Sequence, residues 1–179
     1  MVIDRAERLR KIIRNVPDFP KKGIMFRDIT TLLQDKEAFH DVIEIFSNHY
    51  RDSRIQKVIS IESRGFIFGS ALAYRLGAGF IPVRKSKKLP ATTIREEYQL
   101  EYGSDTLEMH VDAIAKGERV LLVDDLVATG GTAAAACNLV KRLGGEIIGL
   151  AFLIELSFLK PRDVLKGYDI YSIITYDSE

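Results

Sequence analysis

The spacing of apolar residues divides the chain into alternating helices and strands. Between positions 9 and 16 they recur at i, i+3, i+4 and i+7, which predicts an amphipathic helix ended by Pro17. The same periodicity predicts a second helix over roughly residues 36–50. Helical stretches also follow Arg64, as far as Leu76, and cover residues 133–143. Each of these helices has one face suited to packing on a shared core.

Short apolar runs between the helices predict buried strands, namely residues 57–61, 80–83, 120–123, 146–156 and 170–176. Leu107–Val111 alternates weakly and is interpreted as part of a hairpin over the sheet. The predicted fold class is therefore α/β, a mostly parallel twisted sheet flanked by helices. We expect a single domain over residues 1–179, with residues 1–35 and 85–108 as appendages.

Composition narrows the function classes. The chain has 179 residues, of which 46% are hydrophobic and 28% charged, and its net charge is +1. Such a balance gives no global field for nucleic acid, and no apolar run reaches the ~20 residues that span a bilayer. One cysteine, Cys137, excludes an internal disulfide and fits a reducing compartment. We therefore expect a cytoplasmic protein that binds neither nucleic acid nor membrane, with any anion site formed locally.

The most informative stretch is Val120–Thr132. Four aliphatic residues lead to the pair Asp124–Asp125, where we expect the strand to end, and small residues from Ala128 to Thr132 lead into a helix. The first amides of a helix are unpaired and carry partial positive charge, and glycines allow an oxygen-rich ligand to approach the backbone. The loop therefore suits a phosphate monoester, although it lacks the lysine of a Walker A motif.

The acidic pair Asp124–Asp125 would repel a phosphate bound directly beside it. The carboxylates are better suited to accept hydrogen bonds from sugar hydroxyls or to help hold Mg²⁺, and the sequence leaves both roles open. Considered separately, an Asp-Asp pair at the end of a strand and a Thr-Gly-Gly sequence are each common in ordinary turns. Taken together, phosphate on the loop and hydroxyls on the aspartates indicate a ribose 5-phosphate.

Two further loops add positive charge at the predicted carboxyl edge of the sheet. In the segment 62–66, Ser63 is a candidate helix cap, Arg64 a candidate ligand, and Gly65 allows close backbone approach. After the next strand, residues 84–88 contain four cations in five positions. A solvated basic turn is the alternative, but both loops follow parallel strands and should meet near the phosphate loop, where they could bind a pyrophosphate.

The Val120–Thr132 pattern closely resembles the signature of the type I phosphoribosyltransferases, which bind 5-phosphoribosyl-1-pyrophosphate. The resemblance implies a ribose and 5-phosphate site formed by Asp124, Asp125, Ala128, Thr129, Gly130, Gly131 and Thr132. It implies a pyrophosphate site formed by Ser63, Arg64, Arg84, Lys85 and Lys88. The usual pattern has Pro-Gly where this chain has Ser86-Lys87, so the role of Lys87 stays open.

Three other stretches, residues 17–30, 61–69 and 100–103, resemble the branch of this family that uses adenine. The resemblance implies a hood in which adenine stacks on Phe26 while backbone groups of Met25 and Arg27 read its amino edge. A backbone carbonyl would accept from the 6-amino group and repel the oxygen of a 6-oxopurine. The implied reaction is purine salvage, the transfer of a phosphoribosyl group to adenine to give AMP and pyrophosphate, with Mg²⁺ as cofactor and a homodimer as the assembly.

Residues 92–108 are polar and lack a clear period, which fits a flexible lid that excludes water during the reaction. Within it, Glu101 and Tyr102 occupy the family's lid motif and are the catalytic candidates, with Glu101 assisting proton movement on the purine. Two alternatives remain: a related enzyme acting on a 6-oxopurine or orotate, and a ligand-sensing regulator of transcription. The latter would need a nucleic-acid element, and no helix-turn-helix pattern is present.

Overall fold

A computed structural model describes residues 2–99 and 103–178, with side chains from residue 5 onward. Its main sheet has seven strands in the order β5-β6-β4-β3-β7-β8-β9, and a two-stranded ribbon, β1-β2, lies apart from it. The strands are β1 Arg14–Val16, β2 Phe26–Asp28, β3 Lys57–Ile61, β4 Gly79–Lys85, β5 Thr93–Gln99, β6 Ser104–His110, β7 Arg119–Val127, β8 Glu146–Leu156 and β9 Ile170–Tyr176.

Helices cover both faces of the main sheet. They are α1 Val2–Ile12, α2 Thr30–Gln34, α3 Lys36–Tyr50, α4 Gly65–Leu76, α5 Gly131–Leu143 and α6 Pro161–Val164, with a 3₁₀ turn at Ser157–Leu159. The boundaries of α3 match the prediction, and its first turn is capped by Asp35, whose carboxylate accepts from the amides of Glu37 and Ala38 at 2.9 and 3.0 Å. No helix in the described part of the chain is long and apolar enough to cross a membrane.

The sheet is mixed but mostly parallel, as predicted. β4, β3, β7, β8 and β9 run parallel, and the hairpin β5–β6 joins antiparallel at the β4 edge. Residues of α1, α3 and α4 pack on one face and those of α5 on the other, and each layer buries its own apolar cluster. The fold class expected from the sequence is confirmed. All five parallel strands end at one edge, where their following loops meet.

Several element boundaries differ from the sequence prediction; β4, for example, extends to Lys85 rather than ending at Val83. The first helix ends at Ile12 rather than Val16, because Arg14–Val16 pairs with Phe26–Asp28 and a residue before proline disfavours the helical conformation. The signature strand does not end at the acidic pair: β7 continues to Val127, where it still pairs with Glu155 of β8. Both aspartates are therefore strand residues, held by the sheet ladder.

The segment 92–108, expected to be aperiodic, instead contributes β5 and β6 to the sheet, paired from Thr93–His110 to Gln99–Ser104. The weak alternation at Leu107–Val111 correctly indicated a hairpin. Strand β5 was missed because it lies at the sheet edge, where its partly exposed face carries polar residues.

Candidate active site

A cleft of about 550 Å³ lies at the carboxyl edge of the parallel strands. Its volume suits a ligand of nucleotide size. The residues that line it come from the ends of β3 and β7 and from the start of α5: Ile61, Glu62, Ser63, Arg64, Asp124, Asp125, Leu126, Val127, Ala128, Thr129, Gly130, Thr132, Ala133 and, from β8, Phe152. The structure thus brings the acidic pair, the small-residue loop and the loop at Arg64 into one cavity.

The acidic pair is held rigidly inside this cleft. The backbone amide of Asp125 donates to Oδ1 of Asp124 at 2.9 Å, which fixes the first carboxylate against its own strand. Asp125 is buried, whereas Asp124 is densely surrounded by protein yet retains partial solvent access through the cleft. Burial, reinforced by the neighbouring Asp125 carboxylate, raises the pKa of Asp124. Burial also raises the pKa of Asp125, and Arg64 opposes that change.

Arg64 joins the acidic pair to the N-terminal ribbon. Its Nε lies 2.8 Å from Oδ2 of Asp125, and its guanidinium carbon lies 5.2 Å from the centre of the Phe26 ring. The ion pair lacks the alignment of a hydrogen bond, so Oδ2 of Asp125 is buried without a hydrogen-bond partner. A buried acceptor of this kind is ready to receive a donor from a ligand.

Gly65 is required by the position of Asp124. A Cβ built on Gly65 would lie 2.4 Å from Oδ1 of Asp124, far inside any normal contact. Helix α4 therefore approaches the acidic strand as closely as a backbone without a side chain allows. Ser63 lines the cleft but does not cap α4 as predicted, because the helix begins after Arg64 and has no side-chain cap.

The small-residue loop is shorter than predicted. Gly130, with φ +90°, is the residue before α5, so Gly131 and Thr132 already belong to the first helical turn. The first intrahelical bond runs from the amide of Ala134 to the carbonyl of Gly130 at 2.9 Å. The preceding amides have no helical acceptor, and the positive end of the helix dipole adds to them. The loop has the geometry of a phosphate site.

The basic residues at the end of β4 and directly after it reach the same sheet edge but do not line the cleft. Arg84 pairs with Glu62 at 3.0 Å and donates to the carbonyl of Lys88 at 3.1 Å, while Lys85 pairs with Asp105 of β6 at 2.9 Å. Glu62 also accepts from the Lys85 amide at 2.6 Å. Although burial opposes the effect, this amide and Arg84 lower the pKa of Glu62. The sequence did not single out Glu62, although it directly follows β3 at the edge where a functional carboxylate is expected.

The departure from the family pattern at Ser86-Lys87 has a clear structural setting. Lys87 adopts φ +65°, the left-handed conformation that the glycine of the usual pattern would adopt without strain. Buried Glu108 holds this turn, accepting from the Ser86 hydroxyl at 2.9 Å and from the Lys87 amide at 3.2 Å. The turn is thus kept in shape by a carboxylate from the neighbouring strand.

The predicted hood is the ribbon β1-β2 with its connecting turn. Phe26 packs edge-on against Phe19, with ring centres 5.0 Å apart. The Arg27 guanidinium turns away, stacking over Tyr176 at 4.0 Å and donating to Asn15 at 2.7 Å. The Arg27 side chain is thus engaged with Tyr176 and Asn15, and the role of its backbone groups in reading a base stays a prediction. Met25 precedes them and is half-buried.

The last residue of β5 lies beside the start of α5. A Cβ built on Gly131 would lie 3.6 Å from the carbonyl oxygen of Gln99, the last residue of β5. Glu96 ties this strand to α5, accepting from Asn138 at 3.0 Å and pairing with Arg142 at 3.1 Å. The predicted catalytic residues Glu101 and Tyr102 lie outside the described residues. Their neighbour Gln99 is nevertheless beside the loop.

A search of the described residues finds no group of three or more His, Cys, Asp or Glu side chains that could hold a metal ion. Oδ2 of Asp125 accepts no hydrogen bond and pairs only with Arg64, so the acidic pair is suited to a cation whose other ligands come from a substrate, if Arg64 moves away. Cys137 is fully buried in α5, and burial raises the pKa of its thiol to about 12, which confirms packing as its role.

The cleft, its acidic strand and its phosphate loop fall within a segment that matches a known family. A model described as the phosphoribosyl transferase domain matches residues 28–174. The chain belongs to the phosphoribosyltransferase family. An adenine phosphoribosyltransferase of Solibacter usitatus is 60% identical to it over 169 residues, which cover 94% of this chain and 98% of that relative.

Solved structures of phosphoribosyltransferases share both the fold and its extent. The adenine phosphoribosyltransferase of Thermoanaerobacter pseudethanolicus superposes with a TM-score of 0.93 at 51% identity, covering 96% of this chain and 99% of that one. The Saccharomyces cerevisiae enzyme, complexed with an imino-altritol bisphosphate and adenine, gives a TM-score of 0.91 at 38% identity, with coverage of 96% and 99%. The similarity therefore includes the N-terminal ribbon and the hairpin as well as the sheet.

Proposed function

We propose that this phosphoribosyltransferase transfers the 5-phosphoribosyl group of 5-phosphoribosyl-1-pyrophosphate to adenine, producing AMP and pyrophosphate in purine salvage. The proposal rests on one arrangement. A single cleft contains the acidic pair, the phosphate loop at the start of α5, and Arg64, whose guanidinium lies beside Phe26. The adenine-specific names of relatives that span nearly the whole chain support the choice of base.

The roles within the cleft follow from charge and geometry. The loop Ala128–Thr132 binds the 5-phosphate through its unpaired amides and the hydroxyls of Thr129 and Thr132, and Asp124 and Asp125 accept hydrogen bonds from the ribose hydroxyls. Arg64 leaves Asp125 when pyrophosphate binds, which frees Oδ2 of Asp125 from its ion pair and makes it available to the sugar. Ser63 adds a hydroxyl, and the basic loop supplies the remaining charge for the leaving group.

The basic residues near the cleft are Arg84, Lys85 and Lys88. Two of them are held by ion pairs that a bound pyrophosphate could replace. Glu62 and Asp105 neutralise Arg84 and Lys85 in the free protein. A pyrophosphate carries more charge than either carboxylate, so the basic side chains can exchange partners when it binds. Mg²⁺ held by the diphosphate and the acidic pair would neutralise the leaving charge.

Adenine is read by the hood. Its ring stacks on Phe26, and backbone groups of Met25 and Arg27 pair with its amino edge. The purine nitrogen bonds to ribose C1 as the C1–O bond to pyrophosphate breaks, and one purine proton is lost. Glu101 accepts or passes that proton, while Tyr102 helps to exclude water.

The protein acts as a homodimer in the cytoplasm in this proposal. Two large apolar side chains on α4, Ile67 and Tyr74, are exposed by 39% and 89% and support self-association. A single cysteine fits a reducing compartment. Light scattering of the purified protein would show the dimer mass, and a monomer at micromolar concentration would refute this part.

The deciding experiment is a substrate panel with the purified full chain. Adenine, hypoxanthine, guanine and orotate are each supplied with 5-phosphoribosyl-1-pyrophosphate, with and without Mg²⁺, and nucleotide formation is followed. We expect AMP from adenine in the presence of Mg²⁺ and little product from the other bases. Turnover of hypoxanthine without turnover of adenine would refute the base assignment.

A further inference from the structure

The one-turn helix α6 forms a wall behind the phosphate loop. A Cβ built on Gly130 would lie 3.0 Å from the carbonyl oxygen of Pro161, 3.2 Å from Cγ of Leu165 and 3.3 Å from Cβ of Val164. Gly130 is also the residue with φ +90° that turns the chain into α5. Any movement of α6 would therefore change the space in which the loop holds its shape.

A helix of four residues cannot stabilise itself, because one turn recovers too few hydrogen bonds for the conformational entropy lost. An ion pair holds α6 to the sheet. Nε and Nη2 of Arg162 donate to the two carboxylate oxygens of Glu155 at 2.7 and 2.8 Å. The Ser172 hydroxyl donates to the same carboxylate at 2.7 Å from β9.

Glu155 lies beside the start of the phosphate loop. It pairs in register with Val127, the last residue of β7 before the loop begins. Its exposure is only 2%, so its charge depends on Arg162 and Ser172 for compensation. The hydrogen bond from Arg162 correspondingly lowers the pKa of Glu155 despite its burial. The anchor and the phosphate loop thus leave the sheet from neighbouring positions on adjacent strands.

We propose that Arg162 and Glu155 are positioning residues that fix the shape of the 5-phosphate loop through α6. The inference rests on the proposed function only in assigning the 5-phosphate to this loop. Neither side chain is among the residues that line the cleft. They keep the turn at Gly130 in one conformation, so that the backbone amides after it all point toward the position of the 5-phosphate.

We expect the loss of this ion pair to weaken binding of the 5-phosphate end of the substrate and not of its pyrophosphate end. Breaking the pair lets α6 and Gly130 shift, which weakens binding of the 5-phosphate but leaves the cations that hold pyrophosphate unchanged. The Michaelis constant for 5-phosphoribosyl-1-pyrophosphate should rise, with a smaller change in turnover and none in the constant for adenine. A general loss of folding would affect all three together.

The test is calorimetric titration of the full chain with ribose 5-phosphate and, separately, with magnesium pyrophosphate. We expect Arg162→Gln to weaken ribose 5-phosphate binding by about tenfold or more, the scale of effect that sub-ångström misplacement produces. Pyrophosphate affinity should stay within about twofold. Arg162→Lys keeps the charge but loses the paired donors, so it should fall between wild type and Arg162→Gln and serves if the latter does not fold.

A matched control lies at the other end of the same two strands. Arg119 of β7 pairs with Glu146 of β8 at 3.3 Å, far from the cleft. Arg119→Gln should lower the melting temperature without changing either ligand affinity. If Arg162→Gln weakens both ligands equally, or neither, the positioning role is overturned.

Thr132→Ala, measured in parallel, separates this inference from the proposed function. If Thr132→Ala fails to weaken ribose 5-phosphate binding, the assignment of the loop itself is wrong. If it weakens binding while both Arg162 variants bind as wild type does, only the positioning role falls.

Discussion

Replacing Gly65 with alanine should disable the acidic pair without removing any polar group. The added Cβ would lie 2.4 Å from Oδ1 of Asp124, whereas ordinary contacts begin at 3.4 Å, so the carboxylate must move by the difference, 3.4 − 2.4 = 1.0 Å. That oxygen accepts from the Asp125 amide at 2.9 Å, so the movement breaks the bond that fixes the pair. The added Cβ would also lie 3.3 Å from the Val123 carbonyl, so it would crowd β7 at a second point.

A misplacement of about 1 Å in a binding group costs about 100-fold in rate, or about 2.7 kcal/mol. We therefore expect Gly65→Ala to lower kcat/KM for 5-phosphoribosyl-1-pyrophosphate by about two orders of magnitude. The assay is initial-rate AMP formation with adenine saturating. Overpacking should also lower stability by about 1–3 kcal/mol, measured by chemical denaturation.

Gly77→Ala is the control, because Gly77 ends the same helix with φ +67° and open space around it. It should cost about 1 kcal/mol of stability through left-handed strain and leave the kinetics unchanged. In a double-mutant cycle, Asp124→Ala removes the group that Gly65→Ala strikes, so Gly65→Ala should cost less stability in the Asp124→Ala background than in wild type. Wild-type kinetics for Gly65→Ala, or simple additivity, would refute the geometry described for the acidic pair.

Three further substitutions test separate parts of the site. Phe26→Leu should raise the KM for adenine about tenfold and leave that for the ribosyl donor unchanged, because stacking contributes about 1–3 kcal/mol; an equal rise in both would remove Phe26 from the base site. Asp124→Asn should abolish activity yet melt above wild type at alkaline pH, since a carboxylate with a raised pKa destabilises the fold when charged; the gain should shrink as the pH falls below that raised pKa and disappear below the ordinary carboxyl pKa of 3.8, and a gain that grew on acidification would contradict the sign. Lys87→Gly should stabilise the fold by up to about 1 kcal/mol by relieving its positive φ; a higher KM for the donor would instead assign the Lys87 side chain to pyrophosphate.

Much of the sheet could be predicted because its parallel strands are buried on both faces. The runs at residues 57–61 and 146–156 are nearly continuous apolar sequences, and the structure confirms their boundaries. Loops that follow parallel strands meet at the carboxyl edge of the sheet. This rule placed Arg64, Asp124 and the phosphate loop together without any knowledge of contacts. Those inferences depended on topology, which a repeating strand–helix pattern determines well.

What could not be predicted depends on tertiary partners. Val16 has helical spacing, but the chance to pair with Phe26 in a ribbon draws it into a strand. The extension of β7 through Asp124 requires β8 alongside it, and no local signal reports that length. Glu62 and Glu108 lacked any motif, although each organises part of the basic loop. Their roles follow from which strands become neighbours.

The central claim is that the acidic pair binds the ribose hydroxyls of the substrate. It is tested most directly by combining Asp125→Ala with donors that lack the 2-hydroxyl or the 3-hydroxyl of the ribose, and measuring kcat/KM for each combination. If the claim holds, wild type discriminates against at least one of these donors, and Asp125→Ala does not. If the losses from the substitution and from both donors multiply independently, the aspartate does not contact the sugar and the account is contradicted.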